Sequence, residues 1–369
     1  MNLSKLETFE AVGLVSVVMI NKIILNFPKI IIKDTGSSAW ISTILISIIA
    51  IFFAYLIATL FKKFPGQDIL DVSNYLGKGF LKISIGLTHI VCLIIVSALI
   101  VRNFSESLKI IYFNTSPLIY LLLFFVVSAC IVNKFGIKAI SKANLIITPI
   151  ISISILIIFI SASKNFVFQH LFPVLGYGVN ETFFSSLTDI FGFTGLAYLL
   201  YLKPLLKNEK DFKKVSIYSM IISGIYLLLS ILCLLLVFSF ITDSTRTISI
   251  YLLAKAIKYG EFIQRANTLF IFVFILSILS YVSIVVFFSV YITKKLTNLS
   301  NTNSINYCYC SIIFGIALIY ENATQYIDFI EGFLKYIILL FLFIVNIGIL
   351  IVANIKFNRA SKISKKSTT

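Results

Sequence analysis

The sequence predicts an all-α integral membrane protein: ten transmembrane helices in a five-plus-five inverted repeat, with helices 1 and 6 broken and both termini cytoplasmic. Three observations carry the prediction. The chain of 369 residues has a mean hydropathy of +1.03, with 59% hydrophobic and only 12% charged residues, a balance that a water-soluble globule of this size could not keep in solution. Apolar runs of about 20 residues recur between short polar loops, long enough for helical crossings and too long for the strands of a β-barrel. Basic residues crowd into alternate loops.

Taken in order, the apolar runs place spans at roughly 7–32, 38–61, 82–104, 116–133, 137–162, 183–202, 214–240, 266–293, 305–320 and 330–355. The first follows Lys5 and Glu7, lacks a small-residue cleavage site and precedes many more, so it reads as a retained helix. One set of connections contains KKFPGQD, NKFGIK, KPLLKNEKDFKK, TKKLTNLS and the tail KFNRASKISKK. This segmentation puts 20 Lys and Arg on that side and 9 on the other, with Lys22 and Lys335 inside spans, which assigns both termini to the cytoplasm. Ten spans with both ends on one side divide into halves of five, and an odd number per half gives the halves opposite topology. The first half is 1–162 and the second 183–355, followed by a basic cytoplasmic tail at 356–369.

Span 1 then corresponds to span 6, and both are interrupted. VMINKIILNFPK carries Asn21, Lys22, Asn26 and Pro28 where lipid-facing residues belong, and SSLTDIFGFTGLAYLL carries Asp189, Gly192, Thr194 and Gly195. Each glycine weakens a helix by about 1 kcal/mol relative to alanine, and Pro28 disfavours helix at Phe27. The expected unwinding in span 1 is around Ile20, Asn21 and Lys22. The alternatives are that span 1 ends at Met19 and that the glycines of span 6 permit close helix packing. Paired interruptions point to a midplane site for a small ligand, with a carboxylate facing half-helix N-termini. Asp189 near mid-bilayer must be protonated, paired or solvated, and Lys22 is its expected partner if the breaks face each other. Proton coupling through Asp189 and a structural ion pair are both open.

Ser277, Ser280 and Ser283 recur every three residues in span 8 beside Tyr281, turning hydroxyls toward a neighbour or a cavity. His89 reads as a hydrogen-bonded histidine, with titration near neutral pH the alternative. Arg102 and Glu106 read as a surface ion pair. No cofactor or metal site is expected. The five cysteines lie in or at the ends of apolar runs, Cys308 and Cys310 lack CxxC spacing, and no nucleophile elbow, His–Glu metal motif or phosphate loop is present, which argues against an enzyme.

Four stretches, in order, carry a resemblance across nearly the whole chain: NKIILNFPK followed by SSAWIS, FPGQDILDVSNYLGKGFLK, HLFPVLGYG and GEFIQRANTLFIF. The chain resembles the B subunits of spore germination receptors, the endospore germination permeases of the amino acid–polyamine–organocation transporter superfamily. It departs from their pattern where Asn21 stands for a glycine, Ser38 for an aspartate before Ala39 and Trp40, Asn267 for an acidic residue after Arg265, and a phenylalanine for a later tryptophan. The resemblance implies a multi-pass protein of the spore inner membrane that binds a nutrient germinant, works with an A subunit and a lipoprotein C subunit, and involves no nucleic acid. It implies a transporter-like pocket lined by Ile20, Asn21, Lys22, Phe191, Gly192, Phe193, Thr194 and Gly195, with Ser280 and Tyr281 contributing. A proton- or sodium-coupled amino-acid transporter is the alternative, because both functions need the same pocket and the same bistable bundle.

Overall fold

The structure is a computed structural model and describes residues 5–24, 27–239, 253, 266–299, 301–319, 332 and 335–366. Its helices are α1 (Thr8–Ile24), α2 (Phe27–Thr35), α3 (Ala39–Leu60), α4 (Ile69–Ile111), α5 (Leu118–Asn133), α6 (Gly136–Ala162), α7 (Val179–Phe183), α8 (Gly195–Leu202), α9 (Phe212–Val237), α10 (Ala266–Thr297), α11 (Thr302–Ile319), α12 (Lys335–Ile338) and α13 (Asn346–Lys366). A 3₁₀ segment, Ser185–Phe193, precedes α8, and a π-helical turn, Leu339–Val345, joins α12 to α13. No extended strand occurs among the described residues. Seven stretches are long and apolar enough to cross a membrane, and an eighth is the pair Val179–Phe193 and Gly195–Leu205, bent by 48°. Helix α5 is apolar but shorter.

Helix α10 forms the core. It packs against α1, α4, α5, α6 and α11, and Ile278, Val282, Val285 and Phe288 along it are fully buried. A second layer sets α9 against α1 and α3, with a Cβ built on Gly224 lying 3.0 Å from Ser47 Oγ. Small residues at such crossings let backbones approach where lipid offers no hydrophobic drive for association.

Two corrections to the expected spans have specific causes. The loop expected before span 3 is helical from Ile69, because Asp68 caps it: its carboxylate accepts from Leu70 N and Asp71 N, and Asp71 reaches back to Asp68 N at 3.1 Å. The direction then changes at Gly77 and Lys78, where Lys78 takes φ +53°. In span 1, α1 stays helical through Ile24, so Ile20, Asn21 and Lys22 are not unwound. Asn21 Nδ2 donates to Val17 O at 3.3 Å and to Ser277 O at 2.6 Å, contacts that hold it in helical register. Pro28 instead opens α2, where the first turn has no use for its missing N–H. Asn26 and the stretch GEFIQR with Arg265 lie outside the described residues.

Backbone pairing ties Leu6 to Leu205 and Lys207, both at 2.8 Å. Lys63 Nζ donates to Asn358 Oδ1 at 2.6 Å, and Lys295 bonds Asp68 at 2.6 Å. The start of the chain, the segments after α3 and α8, and the ends of α10 and α13 therefore gather at one end of the bundle. At the opposite end the segment Pro173–Gly178 folds onto the turn after α2, with Tyr177 N donating to Thr35 O. Gly176 sits there at φ +54°, and a Cβ on it would lie 2.0 Å from Thr35 O. Gly176→Ala should therefore cost about 1–3 kcal/mol and lower the thermal midpoint of the detergent-purified protein, whereas Gly315→Ala, with open space around its site, should leave it unchanged.

Candidate functional site

The bent stretch of span 6 meets α1 and α2. Gly195 N, at the start of α8, donates to Met19 Sδ at 3.2 Å, and Lys22 Nζ donates to Phe191 O at 3.3 Å while lying 4.4 Å from the centre of the Phe191 ring. From the other half-helix of span 1, Phe27 lies against Gly192 so closely that a Cβ there would fall 1.9 Å from its ring. The glycines are thus the contact points of span 6 with α1 and α2. At Gly195 the obstacle to a Cβ is the flexible Met19 side chain at 2.7 Å, so that position is the more forgiving of the two.

Of the residues expected to line a pocket, Ile20, Asn21, Lys22, Phe191, Gly192, Phe193, Thr194 and Gly195 are all buried at this junction. Asn21 extends it to α10 through its bond to Ser277 O. Asn21 Oδ1 and Ser277 Oγ are buried there without hydrogen-bond partners. Ser280 and Tyr281 lie farther along α10, both buried, and Tyr281 shares a hydrogen bond with Tyr198 of α8. The serine stripe does not act mainly through hydroxyls: Ser283 Oγ donates back to Leu279 O, and the carbonyls of Ser277 and Ser283 accept from Asn21 and Asn133.

Asp189 is fully buried, but its partner is Lys335, not Lys22: Lys335 Nζ donates to Asp189 Oδ1 at 2.7 Å. Lys335 also lies 3.7 Å from Asp34 at the end of α2, so one ammonium joins spans 1, 6 and 10. The sequence signal for it was a lone lysine inside the last span. With Lys335 taken by these carboxylates, Lys22 has no acidic partner among the described residues. Two other expectations resolve. His89 is hydrogen-bonded on both ring nitrogens, to Tyr201 OH and, at 2.9 Å, to Asn346 Nδ2. Arg102 and Glu106 do pair, but in the interior rather than at the surface, with side chains 9% and 14% exposed and Arg102 Nη1 donating to Ala317 O of α11. A longer α4 than expected carries this pair into the bundle.

Breaking a buried pair by removing one charge strands the other, at a cost of about 3–5 kcal/mol, whereas removing both is far cheaper. Asp189→Asn and Lys335→Met should each lower thermal stability more than the double variant does, a comparison that a double-mutant cycle in detergent reads directly.

The chain matches the family model described as spore germination protein over residues 5–326. It is 26% identical to spore germination protein A2 of Bacillus subtilis (strain 168) over 322 residues, 86% of each chain. It is 25% identical to spore germination protein KB of the same organism over 283 residues, 74% of each. Among solved structures it is similar to a Na⁺-coupled sialic acid symporter in a substrate-bound outward-open state, with a TM-score of 0.66, 12% identity, and coverage of 92% of this chain and 79% of that one. It is also similar to MhsT solved with L-phenylalanine, with a TM-score of 0.69, 12% identity, and coverage of 93% and 87%. With its helices, its apolar spans and this match over most of its length, the chain belongs to the spore germination protein family of multi-pass membrane proteins.

Proposed function

We propose that the protein is the B subunit of a spore germinant receptor, that it binds a small nutrient germinant between the breaks of spans 1 and 6, and that it signals through an A subunit and a lipoprotein C subunit in the spore inner membrane. One observation carries the binding site. Lys22 is a buried ammonium held by a neutral carbonyl and a ring face, with no acid to balance it among the described residues. A charge at membrane depth is costly unless paired, so the partner is supplied by the ligand, and a carboxylate fits. The open acceptor of Asn21 and the hydroxyl of Ser277 at the same seam add polar positions for the rest of an amino-acid-sized molecule. Phe191, Phe193 and Tyr281 supply its apolar surroundings. The ten-span inverted repeat with cytoplasmic termini is the topology proposed to hold it.

Binding acts by population shift: a ligand that draws the two broken helices together favours the closed arrangement, and a partner subunit in contact with the bundle reads the change. Family membership supports a receptor, and the same geometry would serve a coupled transporter. Spores lacking the gene, followed by loss of refractility across a panel of amino acids and nucleosides, should fail to respond to one germinant while vegetative uptake of radiolabelled amino acids stays normal. Normal germination with lost uptake would assign the transporter function instead. Loss of one charge-assisted contact costs about 1.5–3 kcal/mol. Lys22→Met should accordingly raise the germinant concentration for half-maximal response about 10- to 100-fold while leaving the amount of protein in the spore membrane unchanged.

A further inference from the structure

At the end of the bundle where the chain termini gather, a cavity of about 340 Å³ opens between the segment after α3 and the start of α9. Its lining includes Lys62, Lys203, Lys210 and Lys213, against the single acid Glu209. Two of these groups are committed to the fold. Lys203 Nζ donates to Phe61 O at 2.6 Å and Phe64 O at 2.7 Å, and Glu209 accepts from Gly66 N at 2.7 Å while lying 3.9 Å from Lys203. Lys62, Lys210 and Lys213 have no carboxylate partner among the described residues. The Lys213 ammonium lies only 4.4 Å from the centre of the Tyr55 ring, at the level where α3 approaches its end. Three uncommitted ammonium groups around one concavity make an anion site.

The surroundings of this site identify the anion. From the cavity mouth two exposed apolar stripes run along adjacent helices. On α3 the stripe is Tyr55, Phe52, Ile48 and Ile44, and on α9 it is Tyr218, Ile221 and Ile225. The spacing is that of one helix face, and at 1.5 Å per residue each stripe reaches about 20 Å from the cavity, more than the half-thickness of an apolar core of about 30 Å. A free phosphate would use the lysines and leave the stripes idle. A soluble acidic peptide would have no use for apolar tracks at bilayer depth. We propose that this cavity is a binding site for the headgroup of an anionic phospholipid, whose acyl chains lie along the α3 and α9 stripes. A ring face beside a cation suits the interface between headgroups and hydrocarbon.

The test uses the full chain, delipidated in mild detergent, with its thermal midpoint followed as phosphatidylglycerol, phosphatidylcholine or inorganic phosphate is added. Phosphatidylglycerol alone should raise the midpoint in a saturable manner. The triple variant Lys62→Gln, Lys210→Gln, Lys213→Gln should need at least about tenfold more lipid for the same rise, since each basic residue near an anionic surface contributes on the order of 1 kcal/mol. A control of equal charge loss, Lys362→Gln, Lys365→Gln, Lys366→Gln in the tail, should behave as the unaltered chain. Equal stabilisation by phosphatidylcholine, equal stabilisation by inorganic phosphate, or an equal loss in the tail variant would each overturn the proposal. If the triple variant cannot be purified, Lys62→Gln and Lys210→Gln are read singly: both side chains are exposed, and each should weaken the lipid response several-fold.

Discussion

A helix that breaks inside a bilayer exposes amide and carbonyl groups that hydrocarbon cannot solvate, and each group left open costs several kcal/mol. This chain bends span 6 between Phe193 and Gly195 and sets the bend against α1 and α2. The amide of Gly195 finds the thioether of Met19, the carbonyl of Phe191 finds the ammonium of Lys22, and the ring of Phe27 occupies the place where Gly192 has no side chain. Much of the remaining architecture serves that meeting. Helix α10 supports it through Ser277, whose carbonyl receives Asn21, and the last span supports it through Lys335, whose ammonium holds Asp189. The backbone groups satisfied here belong to span 6, and the side chains that satisfy them come from α1.

Charge inside the bundle is divided between two lysines with different surroundings. Lys335 faces two carboxylates of the protein, one buried at Asp189 and one at Asp34 that is 34% exposed. Its charge is balanced internally, and its role is to hold three spans in register. Lys22 faces a carbonyl oxygen and a π face, which orient an ammonium without neutralising it. The difference separates a group whose charge is balanced by the protein from the one proposed above to meet a ligand.

The helical character of the chain was legible because hydropathy over 20 residues is a local property that a bilayer enforces. The break in span 6 was legible for a related reason: Gly192 and Gly195 stand three apart inside an apolar run, and the bend falls between Phe193 and Gly195. What escaped was decided by distant residues. Asn21 looked like a point of unwinding because its intrinsic preferences are poor for helix, but a carbonyl 256 positions away satisfies its amide and keeps it helical. The pairing of Asp189 with Lys335, 146 positions apart, likewise has no local signature. The capped helix from Ile69 is a different case. Asp68 and Asp71 form a capping pattern readable in the sequence, masked by the Pro65–Gly66 turn before it and the glycines at 77 and 79 after it.

The two ends of the bundle are fastened by different contacts. Where the termini gather, the fastenings are charged: Lys295 joins Asp68 and Asp71, Tyr291 donates to Asp68 at 2.7 Å, and Lys203 caps two carbonyls. Burial pushes the Asp68 carboxyl above its ordinary range, and the adjacent Lys295 ammonium works against that rise. At the opposite end neutral contacts, such as Ser38 with Thr182 at 2.8 Å and Tyr177 N with Thr35 O, stand beside the Asp34–Lys335–Asp189 group and the Arg102–Glu106 pair. Charge-assisted bonds are about twice as strong as neutral ones, so the charged groups are the firmer fastenings at each end. The partly exposed Asp34 lies at that end, 3.7 Å from Lys335, so the buried Asp189–Lys335 pair is linked there to a carboxylate at the edge of the bundle.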